Sequence, residues 1–197
     1  MIGFNRLILS LFDRHLKWDL RELRYWPWAV ATWLPAVIFL NDHIGDVTWI
    51  SGESMYPFLN TGYNEGLKKD FCWTSKLGPT SNLQRGMIVS FYSPFHPETL
   101  VVKRIIAMEG DTVYTRAPCP VPTVQVPRNH VWVEGDNRAA NKTLDSNTYG
   151  AIPINLIQGK ITHILWPWRS FGRIRSEEFK GKTRVIQGTK EEAPAWD

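Results

Sequence analysis

The hydrophobic pattern of the chain changes period once. Residues 25–40 (YWPWAVATWLPAVIFL) form a sixteen-residue run without a charge. As a helix this run covers about 24 Å, slightly short of a roughly 30 Å hydrocarbon core. Arg24 is placed to snorkel at one end, and local bilayer thinning absorbs the remainder. Trp26, Trp28 and Trp33 suit a membrane interface and an apolar span. Pro27 falls where a first-turn proline is tolerated, and Pro35 predicts a kink. The pattern predicts one N-terminal transmembrane helix over 25–44. The competing reading is a buried or interfacial helix. A cleaved signal peptide is disfavoured, because no small-x-small site follows and the basic flank is long.

Downstream the period shortens. Residues 87–92, 100–108, 112–115, 121–126, 130–134 and 160–166 are short runs rich in Val, Ile, Thr and aromatics. Ser93-Pro94, Glu109-Gly110-Asp111, the stretch 118–122 and Gly135-Asp136-Asn137 separate them. This predicts a mainly β domain of short strands over 45–168. Residues 64–84 read as a polar loop with a weak strand signal near Phe71. Residues 169–197 read as a polar tail, partly disordered. Residues 1–24 form a basic segment ahead of the span.

Charge sharpens this division. The 197 residues carry 23 Lys+Arg against 19 Asp+Glu, a net +4. The first 24 residues hold five Lys/Arg against three acids, and 169–197 hold seven against five. The body between is neutral. A nucleic-acid binder would more often carry its excess on one face of the folded domain, so no nucleic-acid partner is expected. Five Lys/Arg precede the span, while 41–52 contains two Asp and no Lys or Arg. The positive-inside bias therefore puts the N-terminus on the cytoplasm-like side and the β domain across the bilayer. Two cysteines, Cys72 and Cys119, cannot build a disulfide framework and lack zinc spacing. No metal or other cofactor is implied.

Candidate chemistry begins at Ser51-Gly52-Glu53-Ser54-Met55-Tyr56-Pro57. Pro57 fixes its own φ and pushes Tyr56 from the helical region, so the backbone can hold Ser54 in one exposed pose. The segment is not the Gly-x-Ser-x-Gly elbow of α/β-hydrolases. A serine nucleophile needs a base. None of His15, His43, His96, His130 or His163 comes with a companion acid. Lys103 is the better candidate. Along 101–106, apolar residues fall on both faces of a strand, with Lys103 on one and Arg104 on the other. Burial disfavours the ammonium, and lowering a lysine pKa from about 10.4 to near 7 costs on the order of 4–5 kcal/mol while creating a general base. Arginine cannot take that role. An ordinary sheet-edge lysine is the alternative. The third element is Gly135-Asp136-Asn137-Arg138 followed by Asp145-Ser146 and Gly150, a turn that can bond its own backbone and brace neighbouring loops.

Taken in order, these segments resemble the type I signal peptidase family of Ser/Lys-dyad membrane proteases. A single span comes first. Residues 51–57 look like the nucleophile box, 85–89 (RGMIV) like the strand opening the next, 103–111 (KRIIAMEGD) like the base-bearing box, and 135–137 with 145–146 like the last. The likeness covers about residues 26–168 and is nearest to the mitochondrial inner-membrane branch, through 41–43 (NDH), 131–136 (VWVEGD), 145–147 (DSN) and 162–167 (THILWP).

The resemblance implies Ser54 as nucleophile, Lys103 as general base and the Ser54 backbone N–H as an oxyanion donor. It implies structural support from Arg104, Asp136, Asn137, Asp145 and Ser146. It also implies a catalytic domain in the intermembrane space, precursor polypeptides bearing sorting signals as substrates, a homologous catalytic partner subunit and a lipid bilayer. Two positions depart from the bacterial pattern. Gly52 stands where a hydroxyl oxyanion donor often sits, and Asn147 stands where an Arg follows the Asp-Ser pair. Two rival readings are a self-cleaving repressor-type Ser/Lys protein, which would need an N-terminal helix-turn-helix, and a catalytically silent subunit of a protease complex.

Overall fold

The computed structural model describes residues 20–62, 69–137, 139, 142–176 and 183–188, with side chains from Tyr25 onward. Most of the basic N-terminal segment and part of the polar tail, both anticipated from sequence, lie outside the described residues. The chain divides into two units, with the boundary between Asp42 and His43.

The first unit contains helix α1 (Leu20–His43), with Pro27 and Pro35 inside it. Its apolar side chains point outward on several sides: Trp26, Trp28, Trp33, Val37, Ile38 and Phe39 are all exposed. The helix forms where the sequence places it, but the expected span is not met. No helix among the described residues is long and apolar enough to cross a membrane. The physical reason lies in the composition. The run from Tyr25 to Leu40 holds sixteen residues, against the roughly 20 a span requires. Tyr, Trp, Thr and two prolines dilute it further, and Arg21, Glu22 and Arg24 occupy the helix start.

The second unit is antiparallel β throughout its described pairings. The main sheet contains β1 (Gly45–Ile50), β2 (Asp70–Ser75), β3 (Ile88–Tyr92) and β4 (Leu100–Ala107), with β7 (His130–Glu134), β8 (Ile152–Pro153), β9 (Ile157–Trp166) and β10 (Gly172–Arg173). Its order is β1-β2-β9-β3-β4-β7-β8, with β10 added beside β9. A smaller sheet joins β5 (Thr112–Tyr114) to β6 (Thr123–Gln125) and to β11 (Val185–Ile186), the last drawn from the tail.

Strands β3 and β4 are central. Val89, Phe91, Ile105, Val131, Val133, Ile152 and Ile157 form one buried cluster. Ile50, Met55, Leu59, Cys72, Ile88, Ile161 and Ile164 form another, with Val102 packed against it. Apolar residues on both faces of β4 are thus used on both faces. A third cluster, Ile106, Ala107, Val113, Val126 and Trp132, ties the small sheet to the large one.

Strand β1 was not legible, and β2 left only the weak signal near Phe71. In β2 the inward positions are Asp70, Cys72 and Thr74, so the polar and apolar alternation is inverted. In β1 the outward positions Val47 and Trp49 are exposed, which masks the period in the same way. Within the tail, β10 and β11 are paired strands that the sequence did not announce.

Candidate active site

Ser54 sits in the loop after β1, and that loop is pinned from several directions. Met55 and Leu59 are buried in the core. The Leu59 N–H donates to the Met55 carbonyl at 2.9 Å, and Tyr56 N–H to the Glu53 carbonyl at 3.1 Å. Asn60 Nδ2 donates to the Gly52 carbonyl at 2.7 Å, and its backbone N–H to Asp70 Oδ2 at 2.6 Å. Asp70 is inward-facing for this purpose, and burial pushes its carboxyl pKa up. Gly52 adopts φ +96°, a left-handed conformation that a side chain would strain. The hydroxyl donor of bacterial relatives is therefore not simply missing at position 52. The backbone there has taken a form suited to glycine.

The turn after β7 holds the serine loop from the other side. Asn137 N–H donates to the Ser54 carbonyl at 3.0 Å, and Asn137 Nδ2 donates to the Glu53 carbonyl at 2.8 Å. Gly135 lies against the same carbonyl. A Cβ at position 135 would collide with the Ser54 oxygen and with Thr143 Oγ1. Glycine is required here by close approach. The Thr143 hydroxyl is buried without a hydrogen-bond partner.

Lys103 and Arg104 lie on adjacent positions of β4, opposite Val89 and Ile88 of β3. Both are buried, at 4% and 1% exposure, so Lys103 is not a sheet-edge lysine. Arg104 is fully engaged. Its Nε and Nη2 reach the Asp136 carboxylate at 2.9 and 2.6 Å, its Nη1 donates to the Gly86 carbonyl at 2.8 Å, and its guanidinium lies 4.4 Å from the Phe58 ring centroid. Lys103 has no comparable partner among the described ion pairs. Burial lowers its pKa to about 8, opposed by the negative charges of Asp145 and then Asp136. Among the described contacts, no hydrogen bond joins Ser54 Oγ to Lys103 Nζ. The turn at 135–137 ties to both segments, through Asn137 to the serine loop and through Asp136 to Arg104 of β4.

Asp145 caps the short helix α2 (Ser146–Tyr149) by accepting from Asn147 N–H at 3.0 Å. Its other oxygen accepts from Gly135 N–H at 3.3 Å. Burial raises its pKa, with Asn147 hydrogen bonds working downward and Glu134 upward. Ser146 Oγ accepts from Val133 N–H at 2.9 Å, fixing α2 to β7. Asp136, Asn137, Asp145 and Ser146 thus all brace one turn, and Arg104 anchors it to β4.

Several residues of this assembly carried no sequence signal. Asn147 does not imitate an arginine. Its Nδ2 bridges Asp145 at 3.0 Å and Glu134 at 3.2 Å, and its Oδ1 accepts from Arg116 N–H at 2.8 Å. Glu134, Arg116, Thr143 and Thr183 were also missed. Only the buried position of Glu134 at the end of an apolar strand could have drawn attention to it. Among the described histidines, His96 and His163 are exposed, and His130 Nδ1 lies 2.7 Å from the Arg128 carbonyl; His15 lies outside the described residues. Cys72 is buried and free, its thiol pushed up to about 12 by burial, with Asp70 adding to the shift.

A pinned serine and a buried lysine with a lowered pKa thus lie on one antiparallel β scaffold, as candidates for a serine peptidase site. The chain belongs to the signal peptidase family, peptidase S26, whose family model matches residues 23–119. It is 36% identical over 160 residues to the mitochondrial inner membrane protease subunit 2 of Schizosaccharomyces pombe, covering 81% of this chain and 86% of that protein. It is 36% identical over 139 residues to the mitochondrial inner membrane protease subunit 1 of Mus musculus, covering 68% and 77%. A crystal structure of a signal peptidase I from Enterococcus faecalis V583 superposes on 42% of this chain with 23% identity, 98% coverage of that chain and a TM-score of 0.36.

Proposed function

We propose that this chain is a membrane-attached serine endopeptidase of the mitochondrial inner membrane, removing sorting sequences from proteins delivered to the intermembrane space. One observation carries the reading. A lysine kept out of water, with its pKa lowered to about 8, lies on a strand tied to the turn that holds Ser54. Near neutral pH a usable fraction of such a lysine is the free amine. Lys103 takes the proton from Ser54 Oγ as that oxygen attacks the scissile carbonyl. The Ser54 backbone N–H stabilises the oxyanion. Lys103 then protonates the leaving amine and activates the water that releases the acyl-enzyme. Arg104, Asp136, Asn137, Asp145 and Ser146 act as structural support.

Helix α1 attaches the protein to the bilayer. Its apolar side chains face outward on several sides, which suits lipid better than water. The β domain faces the intermembrane space. The names of the relatives point to a complex in which a homologous catalytic subunit 1 works beside this chain.

Ser54→Ala in this subunit alone should abolish processing of its own precursors while leaving those of the partner intact. Intact processing of every intermembrane-space protein, read by N-terminal sequencing, would remove the nucleophile assignment. Carbonate extraction and protease protection of isolated mitochondria test the attachment and its sidedness. Release by carbonate counts against it.

A further inference from the structure

The tail contributes one side chain to the buried polar network behind the catalytic turn. Thr183 Oγ1 donates to Glu134 Oε2 at 2.6 Å, across 49 residues of sequence. Glu134 is buried, and Gly135 follows it directly in the turn that holds Ser54. Its Oε1 accepts from Trp132 Nε1 at 3.0 Å and from Asn147 Nδ2 at 3.2 Å. Arg116 Nη2 stands 3.5 Å from its Oε2 and hydrogen-bonds the Thr183 hydroxyl. A carboxylate taken from water needs such a set of donors, and removing one frees it to reorient.

The position of Thr183 is fixed from beyond. Val185 and Ile186 pair with Val113 and Thr112 of β5. Tyr114 N–H donates to the Arg184 carbonyl at 3.0 Å. Gly188 N–H donates to Asp111 Oδ1 at 3.0 Å, and a Cβ at Gly188 would collide with the Gly110 carbonyl. The segment 183–188 is a strap with a single register.

We propose that Thr183 is a positioning residue for the proteolytic site: it holds Glu134 so that the Asn147 bridge to Asp145 stays closed and the Gly135–Asn137 turn stays seated against Ser54. This rests on the dyad reading above. The relay ends at groups that act on Lys103. Asp145 and Asp136 face it with negative charge, Glu134 and the partly buried Tyr149 lie within the field of Asp145, Arg116 faces Glu134, and Arg104 occupies Asp136 from the other face of β4. If Glu134 swings away, its repulsion of Asp145 falls. Asp145 then favours the ammonium form of Lys103 more strongly.

The test uses the full chain in its native complex. Thr183→Val keeps the shape and removes the hydroxyl. It should lower kcat about tenfold with KM little changed. It should move the rising limb of the pH–rate profile to higher pH and shift the Trp132 indole N–H signal, identified by Trp132→Phe. Thr183→Ser should restore all three. Wild-type kcat, pH profile and indole signal in Thr183→Val overturn the proposal, as does a loss that serine does not rescue. Gly188→Ala displaces the same strap from outside the buried network. It should give the same kcat loss and limb shift, and unchanged kinetics there overturn the proposal even where Thr183→Val does not fold. Ser54→Ala run alongside separates the readings. Retained turnover in it removes the dyad, whereas lost turnover in it with wild-type behaviour in Thr183→Val removes only the strap.

Discussion

The two faces of β4 hold the two cations Lys103 and Arg104 in adjacent positions, equally buried and differently treated. Arg104 is given a bidentate carboxylate, a carbonyl and an aromatic ring. Lys103 is given two carboxylates that act from a distance and no ion pair among those described. A guanidinium cannot shed its charge, so it is buried only with partners. An ammonium can, and burial without a partner makes it do so near the working pH. The lesson is that a saturated cation builds the site while an unsaturated one is available to react.

Lys103→Met should break this contrast most sharply. Removing a general base costs about 10²- to 10⁴-fold in kcat/KM. The same change should stabilise the protein. A pKa lowered from 10.5 to about 8 means that the unfolded chain binds the extra proton between those values, so wild-type stability rises with pH across that window. Below pH 8 the full cost, about 3 kcal/mol, is present, and methionine relieves much of it. The stability gain should fade above about pH 10. Urea melts at two pH values check it, and a variant less stable than wild type at pH 7 contradicts the account. In the wild type, kcat/KM should rise with an apparent pKa near 8.

Arg104→Met should do the reverse. It leaves Asp136 buried without its cation, at a cost of about 3–5 kcal/mol in stability. Activity should fall with folded fraction, and the apparent pKa of the remaining activity should rise, because Asp136 then acts on Lys103 without its neutralising guanidinium. The smallest effect is expected from Lys142→Ala. That residue pairs with Glu53 at 2.9 Å beside Ser54, but both side chains are substantially exposed. Thermal melts should change by less than about 0.5 kcal/mol. A larger loss would show that surface charge, and not only buried charge, sets the serine loop.

Sequence made one half of this contrast readable. Apolar residues on both sides of Lys103 and Arg104 announced a buried strand, and the turn chemistry of 135–137 announced a brace. The partners were not readable, because they come from distant segments. Nothing local marks Asn147 as a bridge or Thr183 as a donor to Glu134. Strand β2 was faint for the same reason. Asp70 faces inward to receive a backbone N–H from the serine loop, a use that period-2 patterning cannot anticipate. Helix α1 was located correctly, while its ability to span was overread from an uncharged run that Trp and Pro weaken.

The bond from Asn137 to the serine loop also has a consequence in time. Asn137 follows Glu53 by 84 residues. A chain threaded through a translocation pore from its N-terminus presents its serine long before the turn that secures it. Until that turn emerges and docks, the serine loop lacks the bonds from Asn137 that complete its hold.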